Sequence, residues 1–194
     1  MCAGITVLQS LAEWEVTAGT RVGIVGLGGL GHMGVKFAKL MGAYVMALSR
    51  AASKASVAHE LGADDFILSV DESSMESAKE TLDLMLSTAS GVTVLDSLMQ
   101  LLRTEGTLVC AGLLYAPLSV SAFQLTRRRR RIAGVSHGSI ELTPEVLNLC
   151  GKHGVGSTVE VVHTAHVNEA WDRVELGDAR FRVVLGTASL RHAA

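Results

Sequence analysis

The sequence predicts an α/β fold: a doubly wound parallel sheet of about six strands, helices on both faces, and a short C-terminal strand–helix–strand extension. Three observations carry that prediction. Short β-branched runs alternate with helix-period segments along the chain, the order produced by parallel strands joined through crossover helices. The strand runs are apolar almost throughout, as strands covered on both faces must be. The string Gly26-Leu27-Gly28-Gly29-Leu30-Gly31-His32 lies between the first strand run and the first long helical segment. Strand, glycine turn, helix is the setting in which Gly-x-Gly-x-x-Gly signals a dinucleotide site.

Taken in order, residues 6–13 read as a helix within a lead-in segment, residues 1–18. Residues 21–25 form the first strand and 29–41 the first crossover helix, with Leu30, Met33, Phe37 and Leu40 as its core-facing stripe. Strands follow at 44–48, 65–68, 82–87, 107–111 and 132–135, and helices at 54–61, 91–101, 122–126 and 144–153. Gly42, Gly62 and Gly106 follow helical segments, where a left-handed C-cap residue is wanted. A composition shift near residues 154–157 separates a dinucleotide-binding domain, 1–158, from a C-terminal segment, 159–194. Within that segment 159–163, 167–176 and 181–185 read as strand, helix, strand.

Composition narrows the class. The chain has 194 residues, 48% of them hydrophobic but only 4% aromatic, so its core is aliphatic. A net charge of −2 gives no general pull toward nucleic acid or an anionic membrane. The run Arg127–Arg131 lacks interleaved aromatics and reads as a solvated face, not a nucleic-acid site. Cys2, Cys110 and Cys150 show no Cys-x-x-Cys spacing, and an odd count predicts free thiols in a reducing, cytoplasmic compartment. The first 18 residues carry Glu13 and Glu15 and lack a basic start, so they do not read as a targeting peptide. No apolar run reaches membrane-span length.

The glycines have separate tasks. Gly26 permits the tight turn out of the strand, Gly28 lets the backbone approach a pyrophosphate, and Gly31 lets the helix pack closely on the sheet. Backbone N–H groups near Gly29 and Leu30 then face the phosphates, aided by the positive end of the helix dipole. NAD sites of this kind place an acid at the end of the second strand, whereas an arginine there accommodates a 2′-phosphate. No acidic residue occurs between Gly31 and Glu60; the strand instead leads into Ser49-Arg50, with Ser53-Lys54 just beyond. Arginine offers a bidentate fork and lysine a point charge, so the expected cofactor is NADP(H). An S-adenosylmethionine-binding fold, which also uses a glycine-rich first turn, remains the weaker alternative.

Together with Leu61-Gly62-Ala63-Asp64-Asp65, Cys2-Ala3-Gly4-Ile5-Thr6, Gly106-Thr107-Leu108-Val109 and Phe181-Arg182-Val183-Val184, the glycine string resembles the medium-chain, zinc-dependent alcohol dehydrogenases. The nearest branch is the NADP-dependent cinnamyl-alcohol-dehydrogenase type. This resemblance covers nearly the whole chain. It implies a Rossmann domain presenting nicotinamide to an alcohol or aldehyde. By the resemblance, Gly28, Gly29 and Leu30 match the pyrophosphate loop, and Ser49, Arg50 and Lys54 the 2′-phosphate site. Thr88 and Ala89 match positions beside the cofactor, Gly112 and Leu113 the approach to nicotinamide, and Ser136 and His137 the stretch after the sixth strand. Arg182 matches a late arginine that reaches the cofactor phosphates, and Cys2 the third ligand of the catalytic zinc.

One departure is large. The family's N-terminal domain, with its Gly-His-Glu motif and further cysteines, has no counterpart in this sequence. A zinc site needs three or four N, S or O ligands, and Cys2 has no partner ligands here, so no occupied zinc site and no complete catalytic set are expected. The expected function is therefore the NADP(H)-binding domain of an alcohol dehydrogenase, inactive alone; the alternative is a stand-alone NADP(H)-binding regulatory or partner-assembling module. The resemblance also implies pairing of two copies through the sixth strand, from Ile132 to Ser136, and an apolar C-terminal surface. His32, at the start of the glycine-turn helix, reads as a cap or a phosphate neighbour, and His163 and His166 straddle a strand end without forming a metal site.

Overall fold

A computed structural model describes residues 2–89, 95–112 and 117–188. Helix α1 (Cys2–Glu13) leads into strand β1 (Arg21–Val25), and helix α2 (Gly31–Leu40) returns the chain to β2 (Tyr44–Ser49). Then come α3 (Ala55–Glu60), β3 (Asp65–Leu68), α4 (Glu72–Ser77), β4 (Leu82–Ser87), α5 (Leu95–Met99) and β5 (Leu102–Cys110). Next are α6 (Ala122–Thr126), β6 (Arg131–Gly134) and α7 (Thr143–His153). The six strands form one parallel sheet in the order β3-β2-β1-β4-β5-β6. The order reverses between β1 and β4. In open sheets of this kind, ligands bind at such a switch point, outside the carboxyl ends of the strands.

Two aliphatic layers cover the sheet. One packs α1, α2 and α7 against it through Val7, Leu11, Ile24, Phe37 and Val146; the other centres on Leu82, Met85, Leu98, Met99 and Leu108. Alternate residues of a strand point to opposite faces, so Ile24 and Val25 fall into different layers. Cys110 and Cys150 pack at the edges of these layers as free thiols.

Several expectations shift. Helix α2 begins at Gly31 rather than Gly29, so Gly28, Gly29 and Leu30 form an open turn before it. Helix α4 was not foreseen: only the Asp71 cap, which accepts from the Ser74 N–H, marks a segment poor in apolar residues. Gly106 lies inside β5 instead of capping a helix, because that strand starts at Leu102 and carries a register shift. The fourth crossover helix keeps only Leu95–Met99 among the described residues, since residues 90–94 lie outside them.

The last elements, β7 (Val159–His163), α8 (Val167–Glu175) and β8 (Arg182–Gly186), build a separate two-stranded parallel sheet. Apolar residues of this segment are open to solvent: Val161 on β7, and Trp171 and Leu176 in and just after α8, are 68%, 65% and 83% exposed. Among the described residues, no helix is long and apolar enough to cross a membrane.

Candidate functional site: a phosphate-binding turn at the switch point

The turn leaves β1 through Gly26, whose φ of 88° lies in the left-handed region. A side chain there would also press on Ala89, 3.3 Å from its amide nitrogen. Thr88, at the end of β4, donates its hydroxyl to the carbonyls of Val25 (2.9 Å) and Gly26 (3.0 Å), and its N–H also donates to Val25. The ends of β1 and β4 are thereby tied together at the switch point.

Gly31 meets the tightest constraint. A Cβ there would fall 1.8 Å from the carbonyl oxygen of Gly26, so the first turn of α2 can lie against the strand end only with hydrogen at this position. Gly112, after β5, is similar: a Cβ would sit 2.2 Å from the carbonyl oxygen of Ala89. Gly28 is the opposite case. It is exposed, and no protein atom lies within 4 Å of where its Cβ would be. Gly28 stands just ahead of the N-terminus of α2, where first-turn N–H groups lack intrahelical acceptors and the helix dipole is positive. A helix N-terminus of this kind favours an anion.

Two cations bond to the turn and a third follows the neighbouring strand. Lys54 closes a short 3₁₀ turn after β2 and donates to the Leu27 carbonyl at 3.0 Å. Arg182, the first residue of β8, donates to the Gly29 carbonyl at 3.2 Å, its guanidinium lying where a Gly29 side chain would be. Arg50 is exposed just past β2, beside Ser49, whose hydroxyl accepts from the Ala51 N–H at 3.2 Å. Lys54 and Arg182 are thus tied to the turn itself. Ser136 and His137 lie beyond the end of β6, exposed and bonded to each other at 3.1 Å. Leu113 falls outside the described residues.

His32, which read as a cap or a phosphate neighbour, is not the cap of α2. Leu30 is the N-cap and has no side-chain cap bond. His32 is fully buried under the turn, with Nδ1 3.0 Å from the Gly28 carbonyl oxygen and Nε2 3.0 Å from the Ser157 hydroxyl. Sequence alone could not reveal this, because Ser157 lies 125 residues away.

The five arginines divide into surface and core. Arg128 pairs with Glu80 and Arg129 with Glu105, while Arg131 donates to the Glu105 carbonyl. Arg130 is buried and donates to the Leu102 carbonyl at 2.8 Å. The solvated-face reading thus holds for its neighbours but not for Arg130. Cys2 is exposed at the start of α1, and among the described residues no group of three or more His, Cys, Asp or Glu could hold a metal ion. The residues present therefore do not fit the family's catalytic zinc.

Comparison with known proteins agrees with this geometry. Residues 29–152 match the family model described as zinc-binding dehydrogenase. The chain is 40% identical over 190 residues to NADP-dependent alcohol dehydrogenase C of Mycobacterium bovis, covering 98% of this chain and 55% of that protein. It is 37% identical to the aldehyde reductase YahK of Escherichia coli over 191 residues, covering 98% and 55%. A cinnamyl alcohol dehydrogenase from Sorghum bicolor superposes with a TM-score of 0.93 at 38% identity, over 96% of this chain and 54% of that one. One from Helicobacter pylori, solved with NADP(H), gives 0.85 at 32% identity, over 95% and 52%. The chain spans about half the length of these relatives. The matched half carries the Rossmann sheet and the glycine turn, and on these grounds the chain belongs to the zinc-binding dehydrogenase family.

Proposed function

We propose that this chain binds NADP(H) and forms the cofactor half of an alcohol dehydrogenase. The observation that carries the reading is the empty space over Gly28, with Lys54 and Arg182 bonded to the residues on either side of it, Arg50 exposed after β2, and no carboxylate after β2 to accept from a ribose hydroxyl. Residues 1–158 act as the dinucleotide domain, and residues 159–194 carry Arg182 to it.

Within this site each residue has a binding task. The turn at Gly28–Leu30 and the N-terminus of α2 take the pyrophosphate, and Arg182 adds a cation beside it. Ser49, Arg50 and Lys54 take the 2′-phosphate. Thr88, Ala89 and Gly112 shape the floor where backbone must come close. Leu113, Ser136 and His137 border the nicotinamide side by family likeness. Bound there, NADP(H) supplies or accepts the hydride exchanged with an alcohol–aldehyde pair. We expect binding without turnover from this chain by itself, since Cys2 stands without companion ligands among the described residues. The three free cysteines support a reducing, cytoplasmic setting, and the outer edge of β6 supports pairing of two copies.

Titration calorimetry with NADPH and NADH tests the reading. Saturable binding with NADPH the tighter ligand supports it. Equal affinity removes the 2′-phosphate assignment, and no binding of either removes the cofactor assignment.

A further inference from the structure

His32 is the second residue of α2 and has no exposed surface. Its Nε2 faces the Ser157 hydroxyl at 3.0 Å and the Thr158 N–H at 3.4 Å. A backbone N–H can only donate, so Nε2 is the acceptor and Nδ1 carries the proton, which it donates to the Gly28 carbonyl at 3.0 Å. The ring also stacks on Phe181, with centroids 4.6 Å apart and planes 3° from parallel. One helical turn on, Lys36 donates to the Gly156 carbonyl at 2.7 Å and the Thr158 hydroxyl at 3.0 Å. Two residues of α2 thus grip the segment leading into β7, while Phe181 immediately precedes Arg182.

We propose that His32 is a positioning residue of the dinucleotide site: its imidazole bridges the phosphate turn at Gly28 to Thr158 and Phe181, and so holds β7–β8, with Arg182, over the turn. The proposal rests on the cofactor reading above. Its physical basis is the imidazole's two ends. One fixes a carbonyl inward, away from the anion; the other fixes the strand pair that delivers a cation toward it. A protonated ring would set its Nε2 donor against the Thr158 N–H and break that bond, leaving only the Ser157 hydroxyl able to accept. The charged groups acting on it, Lys36 on α2 and Arg182 on β8, are both cations, so with burial the surroundings favour the neutral form despite the nearby Gly28 and Gly29 backbone.

Two variants separate the two ends. In His32→Asn the side-chain amide still reaches Gly28 but is too short for Thr158; in His32→Gln the longer amide reaches Thr158. Amide hydrogen exchange without cofactor and NADPH titration are measured on both, and on each combined with Arg182→Ala. The expected result for His32→Asn is β7–β8 exchange at least about tenfold faster, NADPH affinity about tenfold weaker, and little further loss on adding Arg182→Ala. His32→Gln should recover most of the β7–β8 protection. A merely structural role predicts additive losses instead, and additivity overturns the proposal. So does unchanged β7–β8 exchange in His32→Asn, a reading that stands even if the wild-type chain binds no NADPH and the cofactor reading alone falls.

Discussion

Lys54 donates a 3.0 Å hydrogen bond to the carbonyl of Leu27, joining the loop after β2 to the glycine turn after β1. These two loops belong to neighbouring parallel strands, β1 and β2, whose carboxyl ends stand side by side in register. One lysine thus ties the proposed pyrophosphate turn to the loop proposed to take the 2′-phosphate. Only one of its three N–H groups is used by that bond, leaving donors for an anion.

Gly28 and Gly31 are predicted to part company on substitution by alanine. Gly28→Ala meets no protein atom, so stability to urea should stay within about 0.5 kcal/mol. Its methyl group occupies the phosphate space, and NADPH affinity should fall about tenfold or more. Gly31→Ala drives a methyl group into the Gly26 carbonyl and should cost about 3 kcal/mol or more of stability. Urea unfolding beside NADPH titration separates the two outcomes.

Arg130 should behave as a core residue within a surface run. Arg130→Met leaves the Leu102 carbonyl and the Gln124 side-chain oxygen without their donor. The expected loss is about 2–4 kcal/mol, measured by urea unfolding. Arg127, whose guanidinium lies 5.8 Å from the Phe123 ring centre, is exposed, and Arg127→Gln should change stability by about 0.5 kcal/mol or less.

The proposed pairing through β6 would make a specific demand on its outer edge. The Val135 N–H donates inward to Cys110, so by alternation the Gly134 N–H points outward. Gly134→Pro removes that outward donor, and a side chain there meets open space. Analytical ultracentrifugation should show a wild-type dimer and a folded Gly134→Pro monomer.

Stability should depend on pH through His32. Burial, with the charges of Lys36 and Arg182, holds its folded pKa below the ordinary 6.5, against the pull of the Gly28 and Gly29 backbone. Between those two values the unfolded chain binds more protons than the folded one, so stability rises with pH. The contribution is complete above pH 6.5 and is lost as the pH falls through the depressed folded value. His32→Gln lacks this titration, and its stability curve should be flatter below pH 6.5, as read by urea midpoints.

The strands and the glycine turn were legible because their signals are local: apolar β-branched runs, and glycines that a neighbouring backbone atom makes compulsory. Gly31 illustrates this, since it is excluded from any other identity by the carbonyl oxygen of Gly26, five residues earlier. Helix α4 was not legible, because its six residues carry no apolar stripe and its start depends on the Asp71 cap. The roles of His32 and Arg130 were hidden for a different reason. Their partners are distant in sequence (Ser157 and Leu102), and a buried polar side chain is justified only by bonds that folding creates. Residue type and position suggest a phosphate site at Arg50 and Lys54, which the titrations test, but give no hint of the Lys54 bond to Leu27.

The most direct measurement is the ratio of NADPH to NADH affinity in the wild-type chain and in Arg50→Asp. Arg50 is exposed at the end of β2, where an acid would instead accept from a ribose hydroxyl. Loss of one charged hydrogen-bonding partner is worth about 1.5–3 kcal/mol, or roughly 10- to 150-fold in affinity. The account predicts tighter NADPH binding by the wild type and a ratio that collapses or inverts in the variant, with unfolding midpoints unchanged. A wild-type chain that binds NADH as tightly as NADPH, or a variant whose ratio is unaltered, would contradict it.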